Sequence, residues 1–148
     1  MRAGTRSLKR KSVRVLADTS ALLALSRRQD QYHARAVEIA ERHLATGGRF
    51  LSTTLVLGEL YSHLLYLRGP RGARDVLTHL LEDPMHEWMD VNAALVREAS
   101  VRWLERFADQ RFSLVDAASF EVMRRENLTQ AFAFDHHFEV AGFELFNP

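Results

Sequence analysis

The chain has 148 residues, 47% of them hydrophobic and 26% charged, which is the size and composition of one globular domain with a buried core. It contains no cysteine, which excludes disulfides, Cys-ligated zinc, iron–sulfur clusters and thiol catalysis and fits a cytoplasmic location. The formal charge of +1 conceals an asymmetry: six of the 20 basic residues lie in residues 1–14, which hold no acid, leaving 14 basic against 19 acidic residues, or −5, for the rest.

Residues 1–12, with Arg2, Arg6, Lys9, Arg10 and Lys11, lack periodicity and are expected to form a flexible basic arm that contacts polyanions or acts as a solubilising tail. No apolar segment of signal-peptide length follows this basic start, so none is expected. The longest unbroken apolar run, Ala21 to Leu25, is far too short to span a bilayer, and no membrane partner is expected. Residues 13–17 (VRVLA) are short, apolar and rich in β-branched side chains, as befits a strand covered on both faces. Residues 21–25 are expected to be a short helix. Helical periodicity runs through residues 32–46, with Ala36, Ile39, Ala40 and Leu44 on one face and Gly47-Gly48 as the stop. Residues 49–52 follow as a strand. Thr53 or Thr54 can cap a helix that Gly69-Pro70 ends near Arg68, and residues 71–82 make another helix, stopped by Asp83-Pro84. Residues 86–91 read as a strand and 92–107 as a helix with Ala93, Val96, Ser100 and Leu104 inward. Residues 113–127 read as a helix, and 130–134 (QAFAF) and 143–146 as strands. Residues 13–148 are thus expected to form one domain. Alternating strands and helices with short joints predict a three-layer α/β/α sandwich around a mostly parallel sheet. Ligands of such sheets bind at the strands' C-terminal edge, near the topological switch point.

Four carboxylates occupy suggestive positions. Asp18 and Asp135 each directly follow a strand, whereas Glu59 (LVLGEL) and Asp116 (SLVDAA) stand among apolar neighbours. Each also has a structural explanation. An Asp between strand and helix is a common N-cap, Ser113-x-x-Asp116 fits a capping box, and Glu59 fits an exposed helical position. Topology alone puts Asp18 and Asp135 at one sheet edge and leaves open at which end Asp116 lies.

The stretches Leu16 to Leu25 (LADTSALLAL), Leu57 to Leu60 (LGEL), Phe112 to Ala117 (FSLVDA) and Phe132 to Phe138 (FAFDHHF), the last followed by Ala141-Gly142-Phe143, resemble PIN domains. The likeness is specifically to the toxin ribonucleases of VapBC toxin–antitoxin pairs, over residues 13–146. The resemblance implies that Asp18, Glu59, Asp116 and Asp135 converge and hold Mg2+ or Mn2+, with Thr19 and Ser20 matching the residues beside the first acid. It further implies endoribonuclease activity through metal-activated water, an RNA substrate, a cognate antitoxin and a homodimer. The chain carries His136-His137 where many relatives have a basic residue or a further acid.

Physical chemistry agrees with such a site. Two carboxylates about 4 Å apart repel by roughly 4 kcal/mol at an effective dielectric of about 20. Four of them require protonation or a cation, and an all-oxygen set selects hard ions. Zinc is not expected, because no His-Glu-x-x-His occurs and the side chains of His136 and His137 are expected to diverge. Basic residues should border an acidic pocket that admits RNA. The candidates are Arg27 and Arg28, then Arg68, Arg71 and Arg74, then Arg124 and Arg125. Apolar helix surface at Leu22, Leu23, Leu25, Leu60, Leu64, Leu65 and Leu67 exceeds one core face and suits an antitoxin helix or a second copy. Two other readings compete. One is a catalytically inactive PIN-like module that binds RNA or protein, against which the presence of all four acids argues. The other is a haloacid-dehalogenase-type phosphatase, which wants an acid two residues beyond Asp18, where Ser20 stands.

Overall fold

The structure, a computed structural model, describes residues 12–148. The expected basic arm therefore lies outside the described residues, apart from Ser12. Five strands, β1 (Arg14–Ala17), β2 (Arg49–Thr53), β3 (His86–Met89), β4 (Gln130–Phe132) and β5 (Glu144–Leu145), form one sheet in the order β3-β2-β1-β4-β5. Every pairing is parallel. The helices are α1 (Thr19–Ser26), α2 (His33–Ala45), α3 (Thr54–Glu82), α4 (Ala93–Ala99), α5 (Leu114–Arg125) and α6 (His137–Val140).

Period-two alternation along the central strands divides the core into two layers. Val15, Ala17, Phe50 and Phe132 pack under α1, α2 and α3. Leu16, Leu51, Ala131 and Ala133 pack under α4, α5 and Phe138 of α6. The largest fully buried side chains, Phe120, Phe132 and Phe138, each contribute roughly 1.5–3 kcal/mol through burial. Among the described residues no helix is long and apolar enough to cross a membrane.

Most expected elements form, with informative shifts. Helix α1 begins at Thr19, directly after Asp18, two residues before the apolar run. Gly69 adopts φ 74, open to glycine at little cost, and breaks α3 where Pro70 follows. The segment expected as one helix over 92–107 is α4 followed by π-helical turns at Ser100–Glu105. Its buried residues are Leu95, Ala99 and Trp103, while Ala93 is exposed and Ser100 and Leu104 are only half-buried. The inward face is thus displaced from the expected one, because Trp103 has the larger apolar area to bury. Strand β4 ends at Phe132, so Ala133 and Phe134 have already left the ladder when the chain reaches Asp135.

The strand order sets the site. From β1 the chain runs outward through β2 to β3, then returns to lay β4 on the other side of β1. The switch point therefore falls between β1 and β4, the two strands that Asp18 and Asp135 follow. The Asp18 N–H donates to Phe132 O at 2.9 Å across that junction.

Candidate metal centre

A cleft of about 380 Å³ opens at this edge, and Asp18, Glu59, Asp116 and Asp135 all line it. Thr19, Ser20, His63, Arg111, Ser113 and His137 complete its wall. Asp116 stands at this edge because α5 leads into β4, and a crossover helix runs antiparallel to the strands it joins. Its N-terminus therefore lies where the strands end. Glu59 reaches the cleft from the second turn of α3, which starts at the end of β2.

Capping and convergence prove to be one arrangement. Asp18 caps α1, its Oδ2 accepting from the Ser20 N–H at 3.3 Å and from Ser20 Oγ at 2.9 Å. Ser20 Oγ in turn accepts from the Phe134 N–H at 3.0 Å, which couples the two chain exits of the switch point. Asp116 completes a capping box with Ser113: its Oδ2 accepts from the Ser113 N–H at 3.1 Å, and its own N–H donates to Ser113 Oγ at 3.0 Å. Asp135 Oδ1 accepts from the His137 N–H at 3.0 Å. In each aspartate one oxygen fixes the side chain on its local backbone, which leaves the second oxygen for the cleft. Glu59 alone has no such tether among the described residues.

Asp18 is only 4% exposed. Burial, and then the neighbouring Asp116 charge, push its carboxyl up to about 6, against the pull of the Ser20 bonds. Among the described residues no arginine or lysine pairs with any of the four acids. The buried Thr19 Oγ1 also has no partner. A set of carboxylate oxygens, one deeply buried, without a counter-ion from the protein, fits a hard divalent cation.

The histidines behave differently from expectation. His136 and His137 do not diverge: with Asp135 each offers a ligand atom, all within 4.8 Å of one another. The cause is local backbone, since His136 and Ala141 bracket a helical turn starting at His137, and successive helical side chains separate by only about 100°. His137 Nδ1 lies 3.0 Å from Asp116 Oδ2 and 3.5 Å from Asp135 Oδ2.

The basic candidates separate into groups. Arg27 and Arg28 are not brought into the acidic cleft. They line a larger one, about 630 Å³, at the opposite end of α1, with Ser26, His33 and Arg68. The eight residues of α1 put roughly 12 Å between the two ends. Arg71 and Arg74, beyond the Gly69 break, are exposed. Arg124 and Arg125 are engaged by Glu121, which is fully buried, at 2.8 and 3.1 Å, and so serve the fold. Arg111, overlooked among the candidates, lines the acidic cleft.

The PIN domain family matches residues 15–144. The chain is 30% identical over 134 residues, 90% of its length and 98% of the relative's, to the 23S rRNA-specific endonuclease VapC20 of Mycobacterium tuberculosis, in both strains compared. The crystal structure of Mycobacterium tuberculosis VapC20, described as a sarcin-ricin loop cleaving toxin, superposes with a TM-score of 0.78 at 32% identity. That match covers 90% of this chain and 99% of that one.

Proposed function

This chain belongs to the PIN-domain family, and from that premise we propose that it is a Mg2+-dependent endoribonuclease, the toxin of a type II toxin–antitoxin pair, with 23S ribosomal RNA as its target. The observation that carries the proposal is the meeting of four carboxylates from separate elements in one cleft with no cation of the protein's own to balance them. Asp18, Glu59, Asp116 and Asp135 are the proposed metal-holding and catalytic residues, and Mn2+ is the alternative ion. When bound, the ion supplies Lewis-acid activation of water and neutralises charge at the leaving oxygen.

The chain's own residues do the positioning. Ser20 orients Asp18 and ties it to the Phe134 backbone, while Ser113 and His137 hold Asp116. Thr19 presents a free hydroxyl beside them. Arg27, Arg28 and Arg68 take flanking phosphates in the larger cleft. Tyr32 stacks flat on Phe134, with ring centroids 4.5 Å apart, and its exposed outer face offers a platform for an unpaired base next to the acidic cleft. The exposed apolar residues Leu65, Tyr66 and Leu81 on α3 support contact with the cognate antitoxin, and a homodimer is proposed alongside it. The place of action is the cytoplasm, in keeping with a chain free of cysteine.

The test is incubation of the purified chain with 23S rRNA and Mg2+, followed by sequencing of the new 5′ ends. One dominant cut, abolished by EDTA and by Asp18→Asn with Asp116→Asn, is expected. Cleavage that survives both substitutions would refute the site. Binding without cleavage would favour the inactive module.

A further inference from the structure

We infer that His137, together with Asp116 and Asp135, forms an imidazole-bearing cation position in the cleft that favours Mn2+ over Mg2+. The inference rests on the metal-nuclease reading and adds a nitrogen ligand that the four carboxylates do not supply. Its basis is spacing. Two ligands bound at about 2.1 Å to one metal stand about 3.0 Å apart at a right angle and about 3.4 Å apart at the tetrahedral angle. His137 Nδ1 lies 3.0 Å from Asp116 Oδ2 and 3.5 Å from Asp135 Oδ2, so the three atoms already have the separations of neighbouring ligands.

The ring is also held there. Its edge-on contact with Phe112, centroids 5.3 Å apart, and the bond from its own N–H to Asp135 Oδ1 fix it from two sides. Two lone pairs at 3.0 Å repel, so in the metal-free chain a hydrogen on Nδ1 bridges the ring to Asp116. A cation takes the same place once the ring carries its hydrogen on Nε2. Imidazole is a softer donor than carboxylate or water. Mg2+ resists exchanging oxygen for it, and Mn2+, higher in the transition series, accepts it more readily. His136, with its side chain 76% exposed, and His63, exposed one turn beyond Glu59, are the nearby imidazoles that lack these contacts to Asp116 and act as controls.

The deciding measurement is electron-spin-echo modulation of Mn2+ added alone to the full chain, in natural-abundance and 15N-histidine-labelled protein. Nitrogen modulation that changes isotope with the label is expected. It should persist in the His63→Ala/His136→Ala double variant and disappear in His137→Gln, whose Mn2+-over-Mg2+ preference should fall about tenfold in competition titrations. The double variant decides the matter even if His137→Gln fails to fold, because loss of the modulation there assigns the nitrogen to another histidine. Bound Mn2+ without nitrogen modulation overturns the inference and leaves an oxygen-only metal nuclease intact. Modulation surviving in folded His137→Gln overturns it as well. Failure of the wild-type chain to bind Mn2+ at all overturns both this inference and the functional reading beneath it.

Discussion

Two carboxylates in this molecule are buried to nearly the same degree and live in opposite electrostatic worlds. Glu121 on α5 is fully buried, and burial alone would raise its pKa. Bonds from Arg124, Trp103 and Arg125 outweigh that cost and hold it below the ordinary range. Asp18 at the end of β1 is 4% exposed, has only Ser20 as a side-chain donor, and faces Asp116 across the cleft, so it is pushed up to about 6. A chain that surrounds one buried acid with arginines has evidently the means to do so. At the switch point it leaves the charge uncompensated, which is the physical signature of a place kept for an external cation.

The contrast predicts opposite outcomes for the same chemical change. The largest effect falls on activity: Asp18→Asn and Asp116→Asn should each lower RNA cleavage by about a hundredfold or more, since even residues that merely orient a metal ligand cost 10- to 100-fold. A single-turnover assay with Mg2+ checks this. On stability the sign reverses between the two sites. Because the Asp18 carboxyl rises from 3.8 to about 6 on folding, its stabilising contribution is present below pH 3.8 and is lost as pH rises through about 6. The metal-free Asp18→Asn protein should therefore exceed the wild type by up to about 3 kcal/mol at pH 7.5, and by little at pH 4, in urea melts. Mg2+ should narrow the gap by stabilising only the wild type. Glu121→Gln should instead destabilise by about 2 kcal/mol at pH 7.5, the scale of lost bonds to a charged group whose arginine partners are partly solvated. If both substitutions destabilised alike, the cleft would be an ordinary polar pocket.

The same pair marks how far a sequence can be read. The layered fold was legible because short β-branched runs alternate with amphipathic helices, and Asp18 and Asp135 fell at the strand ends that such a fold exposes. Asp116 was legible in principle, since a helix entering a parallel strand must begin at that strand's C-terminal edge. Its capping-box pattern pointed equally well to a purely structural role, and the structure has it doing both. Glu59 owed its assignment to family resemblance, because nothing local marks a helical glutamate as facing a cleft. His137 was not legible, because its direction depends on a helical turn only four residues long. Glu121 was invisible for a related reason: the π-helical turns at Ser100–Glu105 carry Trp103 inward to meet it, and no simple periodicity announces them.

Helix α1 carries the comparison to its smallest and most local test. Its N-terminus presents Asp18 to a cleft with a deficit of positive charge, and its C-terminus presents Arg27 and Arg28 to a cleft with a surplus. Arg68 is already partly committed, donating to Ser26 O at 3.1 Å, whereas no acid pairs with Arg27 or Arg28 among the described residues. Two unpaired guanidinium groups about 12 Å from the carboxylates lie at the distance of a phosphate roughly two nucleotides from the bond to be cut. If they neutralise RNA phosphates, Arg27→Ala and Arg28→Ala should each reduce the slope of log affinity against log salt by about 0.7–0.9. They should do so with the cleavage rate of fully bound substrate little changed, because the contact is uniform in ground and transition states. A slope unaffected by the double substitution would assign these arginines to solvent and leave the Tyr32 face as the remaining route for RNA toward Asp135.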